Sequence, residues 1–246
     1  MEVHHHTNSP GKKWTHYLWE FLMLFLAVFC GFLAENLREH YIEHKREKQY
    51  IRSLIKDVEL DIASLQNSYE LRKVQISYFD SLTGLLQHGY ENQLKDFYFY
   101  ARHITRRIAF RYHDRTIQQL KNSGNLRLIR DNDASDSLTI YDNEVIKFLL
   151  MQQDAEDGVR MHIGRNLAGK IFDGFIWNET ADKKMVIIKP VSNPSLTTRD
   201  PALLSEFEFA IVTLKGTLTL TNRIVEQAIQ SARNLVEIYK KAYHIK

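Results

Sequence analysis

Apolar positions recur along this chain in two ways, and each implies different surroundings. From Phe21 to Ala34 (FLMLFLAVFCGFLA) the chain passes without a charge, and only Glu20 interrupts the run when it is extended back to Tyr17. A helix needs about 17 to 25 such residues to cross a bilayer, so a span over residues 17–36 is expected, at the short end of that range. Each Leu, Phe or Val favours insertion by about 0.3 to 0.6 kcal/mol, whereas a charge at the centre costs about 3 kcal/mol. Glu20 stands at the edge, so insertion prevails. Trp14, Tyr17 and Trp19 fall where an interfacial aromatic belt belongs, and Phe21 and Leu24 begin the apolar body. A cleaved signal is disfavoured because bulky Phe32 and Leu33 precede Ala34, and a lipoprotein signal at Cys30 is disfavoured by Phe29 before it.

Beyond the span, apolar residues follow helical periods. Residues 37–50 are polar around the whole helix and read as a stalk. From Ile51 a seam steps by four and three through Ile55, Val58, Ile62, Leu65, Tyr69, Arg72, Ile76, Phe79, Thr83 and Leu86, with Arg72 interrupting it. No Pro lies between Gly11 and Lys189, which permits long helices. A second helix fits Asn92 to Asn122. A third fits Asp133 to Phe172, capped by Asp133, with Leu138, Tyr141, Val145, Phe148, Ala155, Val159, Ile163, Leu167 and Ile171 facing inward. The last begins with Asp200 as cap and Pro201 in the first position, and its seam runs from Leu203 to Ala242. Turns are expected at His88 to Glu91 and at Asn122 to Asn132, with a long irregular connection over residues 173–200. In the second turn Gly124 suits a left-handed conformation, and Leu126, Leu128 and Ile129 can cover a bundle end.

Helices of similar length joined in this way imply an all-α protein: an N-terminal transmembrane helix continuing through the stalk into an antiparallel four-helix bundle, residues 51–246, behind a His-containing tail, residues 1–16. Charge supports the pairing of its members, because residues 92–122 are net basic and residues 131–173 net acidic. Over the whole chain, 33 Lys and Arg stand against 30 Asp and Glu, a net charge of +3, too small to argue for nucleic acid. One Cys excludes an internal disulfide. Six basic residues follow the span closely, Arg38, Lys45, Arg46, Lys48, Arg52 and Lys56, against Lys12 and Lys13 before it, a balance that favours a cytoplasmic over a periplasmic C-terminal domain.

Motifs with chemical meaning are sparse. Gly164, Gly169 and Lys170 spell the start of a phosphate loop, but Ile171 replaces the Ser or Thr and no strand leads in. His40 and His44 have metal-compatible spacing, yet Tyr41 stands where a zinc protease needs Glu; exposed stalk histidines are the simpler reading. His4, His5 and His6 lie in the tail. Phe97, Tyr98, Phe99 and Tyr100 followed by arginines mix aromatic and basic groups as single-strand binders do, but on one helix they spread over several faces. An enzyme would need a buried polar cluster, and the seams show only isolated polar residues; no catalytic, cofactor or metal residue is assigned. Ala27 and Gly31, with Ala34 nearby, form a small-xxx-small face suited to self-association. Phe175 and Trp177 in the long connection are the best partner patch if exposed.

Thr116 to Ile129, TIQQLKNSGNLRLI, following an N-terminal span and the Lys/Glu-rich stretch His44 to Leu65, resembles a family of uncharacterised bacterial single-pass membrane proteins. The likeness lies chiefly in Leu120, Ser123, Gly124, Asn125, Leu126 and Leu128, with Thr116 opening it. It implies a single-pass protein of the bacterial inner membrane with a helical C-terminal domain, and no chemistry. The reading is therefore a membrane-anchored interaction or scaffold protein whose partners are the bilayer, an unidentified protein and a second copy of itself. The alternative is a ligand-sensing bundle that signals through a partner protein.

Overall fold

The computed structural model describes residues 14–245. The tail histidines His4, His5 and His6, and Lys12 and Lys13, lie outside the described residues. The fold is all-α: among the described residues there is no strand, only two isolated bridges, Phe172 with Leu196 and Ala181 with Ile187. The chain divides into two compact units, residues 1–50 and 51–246.

In the first unit the helix α1, Trp14–His88, begins and runs through the apolar stretch and residues 35–50 without a break. It is the one described helix long and apolar enough to cross a membrane, and a single span near the N-terminus is what its length and composition allow. In the polar stretch Arg38 donates to Glu35 and the ring Nδ1 of His44 lies 3.3 Å from Glu47.

In the second unit α1 continues to His88 and three further stretches pack beside it. The last is α8, Pro201–Tyr243, begun as expected by Asp200, whose carboxylate accepts from Ala202 N, with Pro201 following. Lys240 bonds Glu59, Glu226 accepts from Tyr69, Lys215 bonds Asp80 and Glu208 accepts from Gln87. The helical run 132–171 consists of α4, Asn132–Ile140, α5, Lys147–His162, and α6, Gly169–Ile171, joined by π-turns at Tyr141–Ile146 and Ile163–Ala168. Its cap is Asp131, accepting from Ala134 N, rather than Asp133.

The second helix does not form as expected. Only α2, Leu94–Arg102, and α3, Arg115–Asn122, are α-helical; a 3-10 turn, His103–Thr105, and a non-helical stretch over residues 106–114 separate them. After α3, Gly124 takes φ 66° and Ile129 is buried, so that turn is built as expected. The connection 173–200 contains the short helix α7, Gly174–Glu179, capped by Asp173, and a tight turn in which Asp182 N donates to Val186 O. One end of the core is aromatic: Phe97, Phe172 and Phe207 lie within 5.3 to 6.5 Å of one another, and Tyr90 stacks on Phe97 at 5.0 Å.

The first π-turn has a visible consequence. A π-turn inserts one residue into the helical repeat and rotates the succeeding residues by about a quarter turn. Beyond Tyr141 the inward positions become Ile146, Leu149, Gln153, Glu156 and Arg160 in place of Val145, Phe148, Ala155 and Val159, and Phe148 is 53% exposed. From Ile163 onward the expected positions Ile163, Leu167 and Ile171 are buried again. Thermal unfolding of two variants checks this register: Leu149→Ala is expected to cost about 2 to 5 kcal/mol and Phe148→Ser less than about 0.5 kcal/mol, and the opposite order would mean the helix keeps an uninterrupted phase.

Candidate functional site

Where the chain leaves the helix after Thr105, its backbone N–H and C=O groups lose their i to i−4 partners inside a packed protein, and each left unpaired would cost about 1 to 3 kcal/mol. Side chains of α1 and α5 replace those partners. Phe110 N donates to Gln153 Oε1 at 3.4 Å, Arg111 N to Ser64 Oγ at 3.2 Å, His113 N to Asp61 Oδ1 at 2.8 Å and Thr116 N to Asp57 Oδ2 at 3.0 Å. Arg160 donates to the Ile104 carbonyl at 2.6 Å, Arg72 to that of Ile108 at 2.8 Å, and Gln75 Nε2 to those of His103 and Arg106 at 2.6 and 2.9 Å.

The charges among these groups are paired. Glu156 lies between two guanidiniums, accepting from Arg72 Nε at 3.3 Å and from Arg160 Nη2 at 2.8 Å, and all three are at least 95% buried. Arg160 Nε also faces Asp157 at 3.7 Å, and Asp157 pairs with Arg107 at 2.6 Å. Burial lowers the pKa of Arg72, and Glu156 opposes that shift. A second group surrounds Asp61, which accepts from His113 N and from Tyr141 OH at 2.9 Å and has the His113 ring Nδ1 at 2.9 Å. Burial pushes the Asp61 carboxyl up against the opposing pull of those hydrogen bonds. Tyr112 donates to Asp142 at 2.7 Å, Lys121 pairs with Asp142, and the Thr116 hydroxyl donates to Asp57. Burial raises both tyrosine pKa values, and the nearby carboxylates add to it.

This buried polar array departs from the expectation of isolated seam residues. Arg72 was visible as a break in an apolar seam; Glu156, Arg160 and Gln153 were hidden because a regular 3.6-residue phase points them outward. The array holds backbone, and its hydroxyl and carboxylate groups are engaged with one another and with that backbone.

A cavity of ≈430 Å³ opens beside it, between residues 67–78 of α1 and residues 103–109. Leu71, Val74, Gln75, Tyr78, His103 and Arg106 line it. The Tyr78 and His103 rings lie 4.3 Å apart, with Phe99 5.1 Å from His103. Gln75 Oε1 and His103 Nε2 are enclosed without a hydrogen-bond partner. Burial, reinforced by the positive charge of Arg106, lowers the His103 pKa to about 4, so the ring is neutral at pH 7.

The other residues singled out in the sequence are dispersed. Tyr17, Trp19, Phe21 and Leu24 are 55 to 69% exposed on α1, and Ala27, Gly31 and Ala34 are exposed on the same helix. Within the stretch resembling the single-pass family, Thr116 and Leu120 are buried, Ser123 Oγ donates to Gln119 O, and Asn125, Leu126 and Leu128 form a half-buried 3-10 turn after Gly124. Phe175 is 73% exposed, whereas Trp177 is half-buried against Phe172 at 5.1 Å with the Arg102 guanidinium over its ring. Gly164, Gly169 and Lys170 lie on the helical run 163–171, not in a loop. Of Phe97, Tyr98, Phe99 and Tyr100, the first two are buried and the Tyr98 hydroxyl bridges Ser195 O and Asp173 N. Compared with protein-family models, curated proteins and solved structures, the chain matches none.

Two outcomes check the site. Glu156→Leu removes the carboxylate that Arg72 and Arg160 share, leaving Arg160 only its longer contact with Asp157, and is expected to cost about 3 to 5 kcal/mol in thermal or denaturant unfolding; a cost below about 1 kcal/mol would show that the triad does not hold the segment. The unfolded chain protonates His103 near its ordinary pKa of 6.5, the folded chain only near 4. Stability from the neutral ring is therefore complete above pH 6.5 and lost as pH falls from there through 4. His103→Phe is expected to flatten the melting temperature over that window, and an unchanged pH profile would refute the assignment.

Proposed function

We propose that the chain is a single-pass protein of the bacterial inner membrane whose domain, residues 51–246, is an antiparallel four-helix bundle with an interrupted second member, acting by contact as a scaffold or recruiting module and not by catalysis. The observation that carries this reading is the apolar window of α1, of which 0% is buried. An exposed apolar surface of that length is stable only when lipid or a partner removes it from water. The resemblance to single-pass bacterial proteins supports the same topology, and the excess of Lys and Arg after the span supports a cytoplasmic domain. Phe175, beside half-buried Trp177, is the proposed protein contact, and the Ala27, Gly31 and Ala34 face the proposed self-contact.

A second reading, a ligand-sensing bundle that signals through a partner, is favoured by the cavity at Gln75 and His103, since helical bundles hold small molecules between their members.

Membrane fractions of cells expressing the full chain with a topology reporter after Lys246 check the first reading. The protein is expected to resist carbonate extraction, to require detergent, and to report a cytoplasmic C-terminus; in-cell crosslinking with co-purification is expected to yield a protein partner that Phe175→Asp releases. Recovery of the full chain as a freely soluble species would refute the anchor.

A further inference from the structure

We propose that the cavity between residues 67–78 of α1 and residues 103–109 is a binding site for a small aromatic carboxylate that also bears a hydrogen-bond donor. The inference rests on the ligand-holding reading and gives it a site and a ligand class. Size comes first: ≈430 Å³ falls within the range of small-molecule sites, about 300 to 1,000 Å³. The rings set the wall shape. Tyr78 and His103 stand 4.3 Å apart with Phe99 behind them, and Leu71 and Val74, each 48% exposed, complete an apolar rim that a flat ring would cover.

The polar end is asymmetric. Gln75 is 3% exposed; its Nε2 is committed to the carbonyls of His103 and Arg106, and its Oε1 has no partner. An unmet acceptor of this kind calls for an O–H or N–H on the occupant. His103 Nε2 is also unmet, and on a neutral imidazole it can donate or accept according to tautomer. Charge supplies the last requirement. No Asp or Glu lines the cavity, and the two arginines on its wall differ: Arg107 is held by Asp157, while Arg106 is exposed and makes no ion pair among the described residues. A guanidinium beside an aromatic wall, free of acids, selects a planar anion such as carboxylate.

The test is calorimetric titration of the full chain in detergent with p-hydroxybenzoate, alongside benzoate, which lacks the donor, and p-hydroxybenzyl alcohol, which lacks the charge. Saturable binding of p-hydroxybenzoate is expected, with each control weaker by about tenfold or more. Arg106→Ala is expected to weaken binding by about tenfold while leaving the melting temperature of the free protein unchanged, since that side chain is exposed and unpaired. Leu71→Trp, at the rim, fills the cavity and is expected to abolish binding in a folded protein. Absence of saturable binding overturns the proposal. Binding undiminished in Leu71→Trp overturns this site while leaving a ligand-holding bundle intact, and equal binding of the uncharged alcohol overturns the ligand class alone.

Discussion

The second unit is organised around one requirement: a peptide chain that leaves the helix inside a helical protein must find other partners for its amide and carbonyl groups. In residues 103–116 four amides and four carbonyls meet it with side chains. Asp57, Asp61, Ser64, Arg72 and Gln75 reach from α1, and Gln153 and Arg160 from α5. Burying so many polar groups has its own cost, because each charge loses its hydration. The Arg72, Glu156 and Arg160 triad offsets that loss by bonding both the backbone and one another, although Arg160 Nε is left without a hydrogen bond. Such arrangements add little net stability over an apolar core. What they specify is position, since each of these donors and acceptors of the stretch is matched to a side chain at a fixed place on α1 or α5.

The cavity is a geometric result of the same irregularity. A helix with its side chains is about 10 Å across, whereas an extended segment is about half as wide. Where residues 106–109 run outside a helix, part of α1 between residues 67 and 78 is left uncovered. The void therefore lies next to the polar array, and Gln75 belongs to both, with its amide nitrogen holding two carbonyls and its oxygen unmet.

Helical class, the start of α8 at Asp200 and Pro201, the break after His88 and the left-handed Gly124 were legible because each depends on local chemistry: caps, a fixed proline φ and a missing Cβ. The interruption after Thr105 was not. Residues 103–114 contain no Gly or Pro, and an apolar period through Ile104 and Ile108 suits a helix; what unwinds them is a set of acceptors and donors many residues away in sequence. The same applies to Glu156 and Arg160. A periodic reading assumes one phase along a helix, and the π-turn at Tyr141–Ile146 breaks it. Arg72 gave the one local hint, since an uncompensated guanidinium in an apolar seam demands an anion from elsewhere, but nothing nearby in sequence identified which.

The stretch 145–160 thus bears two inward-capable stripes, one greasy, through Val145, Phe148, Ala155 and Val159, and one ionic, through Gln153, Glu156 and Arg160. The extra residue in the wide turn chooses the second. An uncoiled neighbour has use only for the ionic stripe; a regular helical neighbour would be served better by the greasy one. The two irregularities are therefore a matched lock and key within one polypeptide: deleting the inserted residue strands the Phe110 amide and the Ile104 carbonyl, and recoiling the neighbour strands the guanidiniums, so evolutionary change at either must be accompanied by change at the other.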